Sequence, residues 1–463
     1  MPVTDVVAAS AAAELATYLD RGQVLVGGAG YEAARAVWNG AVDRHPAVIV
    51  RPWTRGDVQA TIRTAREHQL PLSVRGGGYD WTGRSVRADG LELDLSRMRR
   101  VTVDPATRIA TVAGGATVAD VVAAAAPYGL AAVTGTIGGL GMAGLTLAGG
   151  YGPLAGRFGL AADNLLGADV VMEDGRLVRA DPAHEPELYW ALRGGGGNFG
   201  VVTAMSVRLH PLAQVLAGLI LFPWRDAADV WDRLGTMLAN APAELDVQSG
   251  VLSGKDGRPV LYLMPTWSGE SAHGEKIFAD LRRLGSPVVC RIRPTDPAGL
   301  LTPVGSHAAS GRHYAIRTRN LPGLTPDVIL ALMRAGGTRT SPLSSISLRH
   351  FHGRPARVPV PATAFGTRQE HFLAEVTASW LPGDRDGALH RTWADSAATA
   401  LVPSALSGAY PGLLGPDDHY QITHAYGANT ARLLTAKEHY DPDGIFTATP
   451  LPITQHARSW ITA

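Results

Sequence analysis

The chain has 463 residues, a net charge of +1, 46% hydrophobic residues and 18% charged residues. This length allows two or more domains with sizeable cores, and this balance is typical of a folded globular protein rather than a disordered one. The near-neutral charge gives no basic excess that would indicate a nucleic-acid partner. The single cysteine, Cys290, excludes an intramolecular disulfide and is expected to be a buried apolar residue.

The amino-terminal segment predicts a helix rather than a targeting signal. Residues 1–20 are rich in alanine but carry Asp5, Glu14 and Asp20, and they lack the basic start and long apolar run of a signal peptide. No stretch approaches the roughly 18 apolar residues of a membrane span. We therefore expect a cytoplasmic protein, monomeric or homodimeric, with a secreted protein lacking a recognisable signal as the alternative.

Short strands and helices alternate through the first half of the chain. A helix is predicted over residues 57–69 with Thr54 as its cap, and a second helix over residues 117–126. Strand patterns occur at residues 48–52, 70–74, 91–95, 108–112, 166–172, 176–178 and 201–209. An Asp-Gly turn joins the strands at 166–172 and 176–178 into a hairpin. The alternation favours an α+β or mixed α/β fold over a doubly wound parallel sheet.

Three segments of the first half are rich in glycine: residues 76–78, 135–152 and 193–200. The first follows a predicted strand, and its consecutive glycines let backbone N–H groups converge on an anion. Arg75, directly before it, adds a charge-assisted donor. A glycine turn without a ligand is the alternative for any single triplet. Because all three lie among strands and are poor in serine, they favour backbone packed against a large flat ligand over flexible linkers.

The middle of the chain differs from the first half in its glycine content and its predicted elements. Residues 212–400 lack long glycine runs and predict strands at 216–221, 260–264 and 374–380, with helices at 227–238 and 325–333. These elements favour a separate domain made of an antiparallel sheet with helices on one face.

One strand of that domain carries a candidate catalytic carboxylate. Residues 371–380 alternate, so that Phe372, Ala374 and Val376 share an apolar face while Glu375 lies in the middle of the opposite face. A glutamate in that position is either solvated, as most are, or directed into a cleft.

Two histidines precede that strand. His350 and His352 share one strand face, an arrangement that two metal ligands can have, but no third ligand has suitable spacing. No metal site is therefore predicted, and the two histidines are expected to line a substrate cleft or to be solvated.

Three motifs together carry a resemblance to a known family. They are Leu188-Tyr189-Trp190-Ala191-Leu192-Arg193-Gly194-Gly195-Gly196-Gly197-Asn198-Phe199-Gly200-Val201-Val202, Phe158-Gly159-Leu160-Ala161-Ala162-Asp163-Asn164-Leu165-Leu166, and Tyr440-Asp441-Pro442-Asp443-Gly444-Ile445-Phe446. With the first glycine loop, they resemble the berberine-bridge-enzyme-like flavoproteins of the vanillyl-alcohol-oxidase superfamily over nearly the full chain. The resemblance implies an α+β fold with a two-part PCMH-type FAD-binding domain. Residues 1–211 would form its main part, residues 212–405 the substrate domain, and residues 406–463 a segment that returns to the FAD domain.

The family's pattern also implies which residues hold FAD. Carried over position by position, the cofactor-binding residues are Arg75, Gly76, Gly77, Gly78, Tyr79, Asp80, Thr134, Gly135, Ile137, Gly138, Gly139, Gly141, Met142, Gly144, Asn198, Val201 and Val202. The last three would close over the adenosine end of FAD.

The chain departs from this pattern at three places. Tyr79 replaces the histidine that bonds covalently to the flavin, Ile137 replaces the cysteine that forms a second bond, and Thr449-Pro450 replaces an Asn-Gln element near the end. The resemblance therefore implies non-covalent FAD, with Tyr79 packed on the flavin edge. A tyrosyl link through Tyr79 is the alternative, since distant relatives have one.

The family also places Glu375 and Tyr410 near the reacting carbon. Oxidation of a C–H bond next to O–H or N–H needs the carbon over flavin N5 and a base for the heteroatom proton. Glu375 matches the position of a catalytic carboxylate and is expected to be that base. Tyr410 resembles a tyrosine that polarises a substrate oxygen or acts as a base, although Gly412 stands where the family has asparagine.

These features predict an FAD-dependent oxidoreductase, with O2 as the expected electron acceptor. The expected substrate is a small or medium organic molecule, such as a secondary-metabolite intermediate. A flavin-scaffold enzyme with a net non-redox reaction and a catalytically inactive FAD-binding protein are the two alternatives. The first predicts that substrate does not reduce the flavin, and the second predicts weak FAD binding.

Overall fold

The computed structural model of the protein describes residues 3–20, 22–301 and 308–452. Its first sheet has four strands in the order β1-β2-β4-β3, with β2, β4 and β3 parallel and β1 antiparallel to β2. The strands are β1 (Val24–Leu25), β2 (Val48–Val50), β3 (Leu72–Arg75) and β4 (Leu91–Asp94). The accompanying helices are α1 (Val3–Tyr18), α2 (Ala29–Arg35) and α3 (Arg55–Glu67). Apolar residues of α1 and α3 form one core with this sheet.

The second sheet has five antiparallel strands in the order β5-β6-β10-β8-β9. They are β5 (Val101–Asp104), β6 (Ile109–Ala113), β8 (Leu165–Val171), β9 (Leu177–Ala180) and β10 (Val201–Arg208). A separate two-stranded ladder pairs β7 (Leu130–Ala131) with β11 (His210–Pro211). The helices of this region are α4 (Val118–Ala125), α5 (Met142–Leu147), α6 (Ala155–Phe158) and α7 (Pro186–Leu192).

The third sheet has seven antiparallel strands in the order β15-β12-β14-β13-β17-β18-β16. They are β12 (Val215–Pro223), β13 (Leu245–Ser253), β14 (Pro259–Trp267), β15 (Val289–Thr295), β16 (His313–Leu321), β17 (Ser345–Phe351) and β18 (His371–Trp380). The helices are α8 (Ala227–Leu238), α9 (Ser271–Arg282), α10 (Pro326–Gly337), α11 (Arg354–Arg357), α12 (Gly387–Ala400), α13 (His419–His424) and α14 (Thr430–Tyr440). One core joins one face of the sheet to α8, α9, α10 and α12, so the opposite face is left to form a site.

The α+β fold class and several local predictions are confirmed. Thr54 caps α3 in a capping box with Asp57, and Thr117 caps α4 in a second box with Asp120. β8 and β9 form the predicted hairpin. Among the described residues, no helix is long and apolar enough to cross a membrane.

The prediction for Cys290 is wrong. Cys290 is exposed, because it lies on β15, the strand at one edge of the large sheet. An apolar side chain alone does not place a residue in the core when its strand has only one neighbour.

β13 and β16 were also not predicted, although each contributes nine residues to the large sheet.

Candidate cofactor and active site

A cavity of about 370 Å³ lies where the glycine segments meet the free face of the large sheet. One side consists of the loop after β3, the segment around α5 and the start of β10. The other side includes Ile316, Arg349, Leu373 and Glu375 from the large sheet, together with Tyr410. Residues 446–449, near the carboxyl end, also line it. Segments far apart in sequence therefore meet at one site.

Most of the predicted FAD-binding residues line this cavity. They are Gly76, Gly77, Gly78, Tyr79, Asp80, Gly135, Ile137, Gly141, Gly144, Val201 and Val202. The remaining predicted residues are absent from the cavity wall: Arg75, Thr134, Gly138, Gly139, Met142 and Asn198.

Arg75 differs from its predicted role as a donor to an anion in the glycine loop. Its guanidinium donates to the carbonyl oxygens of Ala34 and Ala36, and one of its nitrogens lies 3.6 Å from a carboxylate oxygen of Glu92. The N–H groups of Arg75 therefore bond the carbonyl oxygens at the end of α2 instead of the ligand that the sequence predicted.

The side chain of Asn198 bonds other parts of the chain, and the predicted backbone contact of this residue with FAD stays a prediction. Its amide nitrogen donates to the carbonyl oxygens of Gly195 at 2.8 Å and Thr449 at 3.0 Å. Its amide oxygen accepts from the backbone nitrogens of Ala448 at 2.8 Å and Thr449 at 3.1 Å. Asn198 thus holds the carboxyl-terminal segment against the cavity.

The glycines are required by close approach between two loops. A Cβ on Gly77 would lie 2.2 Å from the backbone nitrogen of Gly141, and a Cβ on Gly141 would lie 2.5 Å from the nitrogen of Gly77. Only glycine at both positions lets the loops touch. Gly144 is different, because a Cβ there meets nothing within 4 Å and would project into open space beside the cavity that Gly144 lines.

The wall beside the first glycine loop also contains polar atoms without partners. Ser73 Oγ, Ser85 Oγ and Arg84 Nη1 are buried and have no hydrogen bond, and all three residues line the cavity. Buried polar groups are normally hydrogen-bonded, so these atoms suit a polar ligand at this end. Together with the glycine backbone, they fit the phosphate portion of FAD.

Tyr79 is fixed by aromatic packing. Its ring stacks on Trp38 with centroids 5.6 Å apart, and Trp38 stacks on Tyr314 with centroids 3.9 Å apart. Burial raises the pKa of Tyr79, so the phenol keeps its proton. A Cβ on Gly139 would lie 2.5 Å from Tyr79 Oη; the tyrosine therefore occupies space that glycine leaves free.

Asp80 faces the cavity but is already paired. Its carboxylate accepts from the guanidinium of Arg84 at 2.8 and 3.2 Å and from Thr82 Oγ1 at 2.7 Å. The contacts stabilise the turn after the glycines rather than leaving Asp80 free as a base.

Glu375 faces the cavity, as the alternation in β18 predicts. The opposite side chains, including Phe372, Ala374 and Val376, lie in the core shared with the helices. Strand pairing places Glu375 between Ser347 on β17 and Thr318 on β16. Its Oε1 accepts a hydrogen bond from Thr377 Oγ1 at 3.1 Å.

Tyr410 lies in a cluster of aromatic residues beside Glu375. Its hydroxyl accepts a hydrogen bond from the backbone nitrogen of Gly150 at 3.1 Å, and burial raises its pKa to about 12. The ring of Tyr151 meets it edge-on, with centroids 5.0 Å apart. Tyr151 also lines the cavity, yet in the sequence it was one residue within a glycine run, and no periodicity distinguished it.

The two histidines of β17 do not line the main cavity. His350 stacks on His352 with centroids 4.3 Å apart and on Phe372 with centroids 4.6 Å apart. Both instead border a second cavity of about 10 Å³, together with Asp246. Neither histidine lines the main cavity as predicted, because strand pairing sets His350 beside Phe372 and away from Glu375. The alternative that they are solvated is wrong for His352, which is buried.

Comparisons with known proteins agree with this geometry. Residues 46–181 match the family model for the FAD binding domain. The FAD-linked oxidoreductase aurO of Gibberella zeae is 30% identical over 428 residues, which cover 90% of this chain and 82% of that protein. The (R)-6-hydroxynicotine oxidase of Paenarthrobacter nicotinovorans is 37% identical over 264 residues, which cover 56% of this chain and 57% of that protein.

Solved structures share the whole fold. The 6-hydroxy-D-nicotine oxidase of Arthrobacter nicotinovorans superposes with a TM-score of 0.85 at 27% identity, covering 94% of this chain and 98% of that one. A variant of berberine bridge enzyme superposes with a TM-score of 0.84 at 18% identity, covering 96% of this chain and 99% of that one.

The fold and the glycine-lined cavity define a flavin-binding oxidoreductase. The chain belongs to the FAD-linked oxidoreductases, and it shares its fold with berberine bridge enzyme. It is an FAD-dependent oxidoreductase.

Proposed function

We propose that the protein is an oxidase that holds FAD non-covalently and oxidises a small or medium organic molecule at a C–H bond next to O–H or N–H. Glu375 accepts the heteroatom proton, Tyr410 donates a hydrogen bond to the substrate oxygen, and O2 is the final electron acceptor. When bound, FAD supplies the hydride acceptor. We expect a secondary-metabolite intermediate as the substrate.

One observation carries the assignment of the base. Within the part of the chain that the structure describes, two carboxylates line the cavity, Asp80 and Glu375. Asp80 is ion-paired with Arg84, whereas Glu375 hydrogen-bonds only Thr377 among the described residues. A base must be free to take a proton, and this favours Glu375.

Tyr410 suits the donor role. Its hydroxyl oxygen already accepts from Gly150 N–H, and the raised pKa keeps its own proton in place at neutral pH. A phenol held in this way donates a hydrogen bond to the substrate oxygen and stabilises the negative charge that develops on that oxygen during oxidation.

The side chains at positions 137 and 79 support non-covalent FAD, and the names of several relatives support O2 as the electron acceptor. Ile137 lines the cavity at the position of the second flavin link and has no group that forms one, and Tyr79 is stacked against Trp38. Several relatives are oxidases by name, including a xylooligosaccharide oxidase from Thermothelomyces thermophilus that is 35% identical over 212 residues.

The test is anaerobic mixing of the FAD-loaded protein with a panel of small alcohols, phenols and amines, followed by admission of air. The proposal expects loss of the oxidised flavin absorbance with at least one compound, then recovery in air with one equivalent of hydrogen peroxide. Glu375→Gln should slow the reduction by about 10²- to 10⁴-fold, the usual contribution of a general base, with FAD content unchanged. Conversion of a compound without flavin reduction would instead support net non-redox chemistry.

A further inference from the structure

The wall of the main cavity carries two arginines with different surroundings. Of the described residues that line this cavity, Arg84 and Arg349 are the ones with a cationic side chain. Arg84 donates to the carboxylate of Asp80 and to the carbonyl oxygen of Leu414, each at 2.8 Å. The side chain of Arg349 makes no hydrogen bond and no ion pair with any residue that the structure describes. Arg349 is therefore the cation that this wall offers to a ligand.

The strand pattern places Arg349 on the same wall as Glu375. Leu348 of β17 lies in the core shared with the helices, so alternation directs Arg349 to the opposite face, where it lines the cavity. Arg349 pairs with Leu373, and Glu375 pairs with Ser347. Arg349 and Glu375 are thus diagonal neighbours on adjacent strands, whose Cα atoms lie roughly 7–8 Å apart. A ligand that contacts both side chains has its two polar groups a few bonds apart.

The position of Arg349 separates it from the atoms that suit the FAD phosphates. Those unpaired atoms, on Ser73, Ser85 and Arg84, lie beside the first glycine loop. Arg349 lies on the large sheet, the wall that carries the proposed base. An anion bound on this wall therefore belongs to the substrate rather than to the cofactor.

Asp246 of β13 is the candidate for an internal partner, since it borders the small second cavity together with Arg349. The two side chains are both described, and they are not ion-paired. Burial raises the pKa of Asp246 to about 7, although the charge of Arg349 lowers it. A protonated carboxyl has no charge to hold a guanidinium. Asp246 therefore leaves Arg349 to a ligand below about pH 7.

We propose that the substrate is an organic acid and that Arg349 binds its carboxylate. The planar guanidinium presents paired N–H groups that match the two carboxylate oxygens, and charge-assisted hydrogen bonds of this kind are short and strong. The carboxylate does not react. It holds the substrate so that the carbon bearing the hydroxyl or amine lies beside Glu375. Arg349 determines specificity, and its charge offsets the repulsion between the ionised base and an anionic substrate.

This inference rests on the proposed function, because it takes the cavity beside Glu375 as the substrate site. It adds the chemical class of the substrate, which neither FAD nor the base determines. Binding of a carboxylate needs no turnover, so it is measured separately from oxidation.

The probes are benzoate, phenylacetate and 3-phenylpropanoate, each paired with its primary amide. Acid and amide have the same number of heavy atoms and differ in charge, and the three chain lengths sample the distance from Arg349 to the rest of the cavity. Isothermal titration calorimetry on the FAD-loaded protein without O2, at about pH 6, keeps the acids ionised and Asp246 largely protonated. At least one acid should bind about tenfold more tightly than its amide.

Substitutions of Arg349 separate the charge of the side chain from its shape. Arg349→Met keeps most of the length and removes the charge, so it should bring the constants of acid and amide together. Arg349→Lys keeps the charge without the planar fork, and its acid preference should lie between those of Arg349→Met and the wild type. Arg258→Met, at a side chain that is 86% exposed, is the matched control and should leave the preference unchanged. The FAD content should be the same in all four proteins.

Three results would overturn the inference. The first is equal constants for every acid and its amide in the wild type, or no binding of any acid. The second is loss of FAD in both Arg349 variants, which would show that Arg349 holds the cofactor. The third is a gain of about tenfold in acid affinity in Asp246→Asn, which would show that Asp246 occupies Arg349 in the folded protein; the inference expects no change there.

A crystal structure with the tightest acid locates the carboxylate directly. Its oxygens should lie about 2.7–2.9 Å from the guanidinium nitrogens of Arg349, and a carboxylate bound at Arg84 instead would contradict the inference. Flavin that no compound reduces, with the acid preference intact, would count against the proposed function alone.

Discussion

Glu92 should make the protein less stable as the pH rises through neutrality. Glu92 lies on β4 between Ile49 and Ser73 of the neighbouring strands, is fully buried, and neither of its carboxylate oxygens has a hydrogen bond. Arg75 is 3.6 Å away, too far to hydrogen-bond, and its guanidinium is engaged by backbone carbonyls. Burial therefore raises the pKa of Glu92 from 4.5 to about 8, and the charge of Arg75 offsets only part of that effect.

The sign follows from the direction of this shift. The folded state holds a proton that the unfolded state has released, so the contribution is fully present below about pH 4.5 and lost as the pH rises through about 8. Each pH unit inside this window changes the free energy of unfolding by about 1.4 kcal/mol. Between pH 5 and 8, Glu92 alone should lower the free energy of unfolding by about 4 kcal/mol.

Urea unfolding at fixed FAD concentration measures this contribution. Glu92→Gln keeps the shape and cannot ionise, so its free energy of unfolding relative to the wild type should rise by about 4 kcal/mol between pH 5 and 8. Glu67→Gln, at an exposed position on α3, is the control and should follow the wild type. If Glu92→Gln and the wild type keep a constant difference across this pH range, Glu92 is ionised in the folded protein and the reasoning is refuted.

Three other substitutions have predictable effects. Arg368→Met leaves the buried carboxylate of Asp163 without the guanidinium that contacts it at 2.8 and 3.0 Å; it should destabilise the protein by about 3–5 kcal/mol, and an unchanged urea midpoint would contradict this. Lys437→Met removes the cation beside buried Asp441 and should cost a similar amount, with faster proteolysis at the carboxyl end as the readout. Gly144→Leu places a side chain beside the cavity and should weaken FAD binding by about tenfold or more; equal affinity in a flavin fluorescence titration would show that FAD lies elsewhere.

Local signals in the sequence were sufficient for the features that depend on neighbours in the chain. The cap at Thr54 needs only Asp57 three residues later, and the side of β18 on which Glu375 lies follows from alternation. The glycine segments also indicated where the cavity lies. The close approach of Gly77 and Gly141, which requires glycine, occurs in the loops that line the cavity.

Features that depend on distant segments could not be predicted in this way. Arg75 turns toward the end of α2, and Asn198 turns toward residues some 250 positions later. Tyr151 and His371 are hydrogen-bonded to each other and are 220 positions apart. No pattern within a window of sequence encodes such partners, and the boundaries at residues 211 and 405 likewise stay predictions.

The most direct test of the account is an absorption spectrum of the purified protein before and after acid precipitation. We expect the flavin bands in the native protein and all of the FAD in the supernatant after precipitation, because the proposed function has no covalent link from the flavin to Ile137 or to Tyr79, which line the cavity. Colour that stays in the pellet and is lost in Tyr79→Phe would show a tyrosyl link and contradict the proposed mode of binding. A colourless protein that FAD does not reconstitute would contradict the central claim that this cavity holds the flavin.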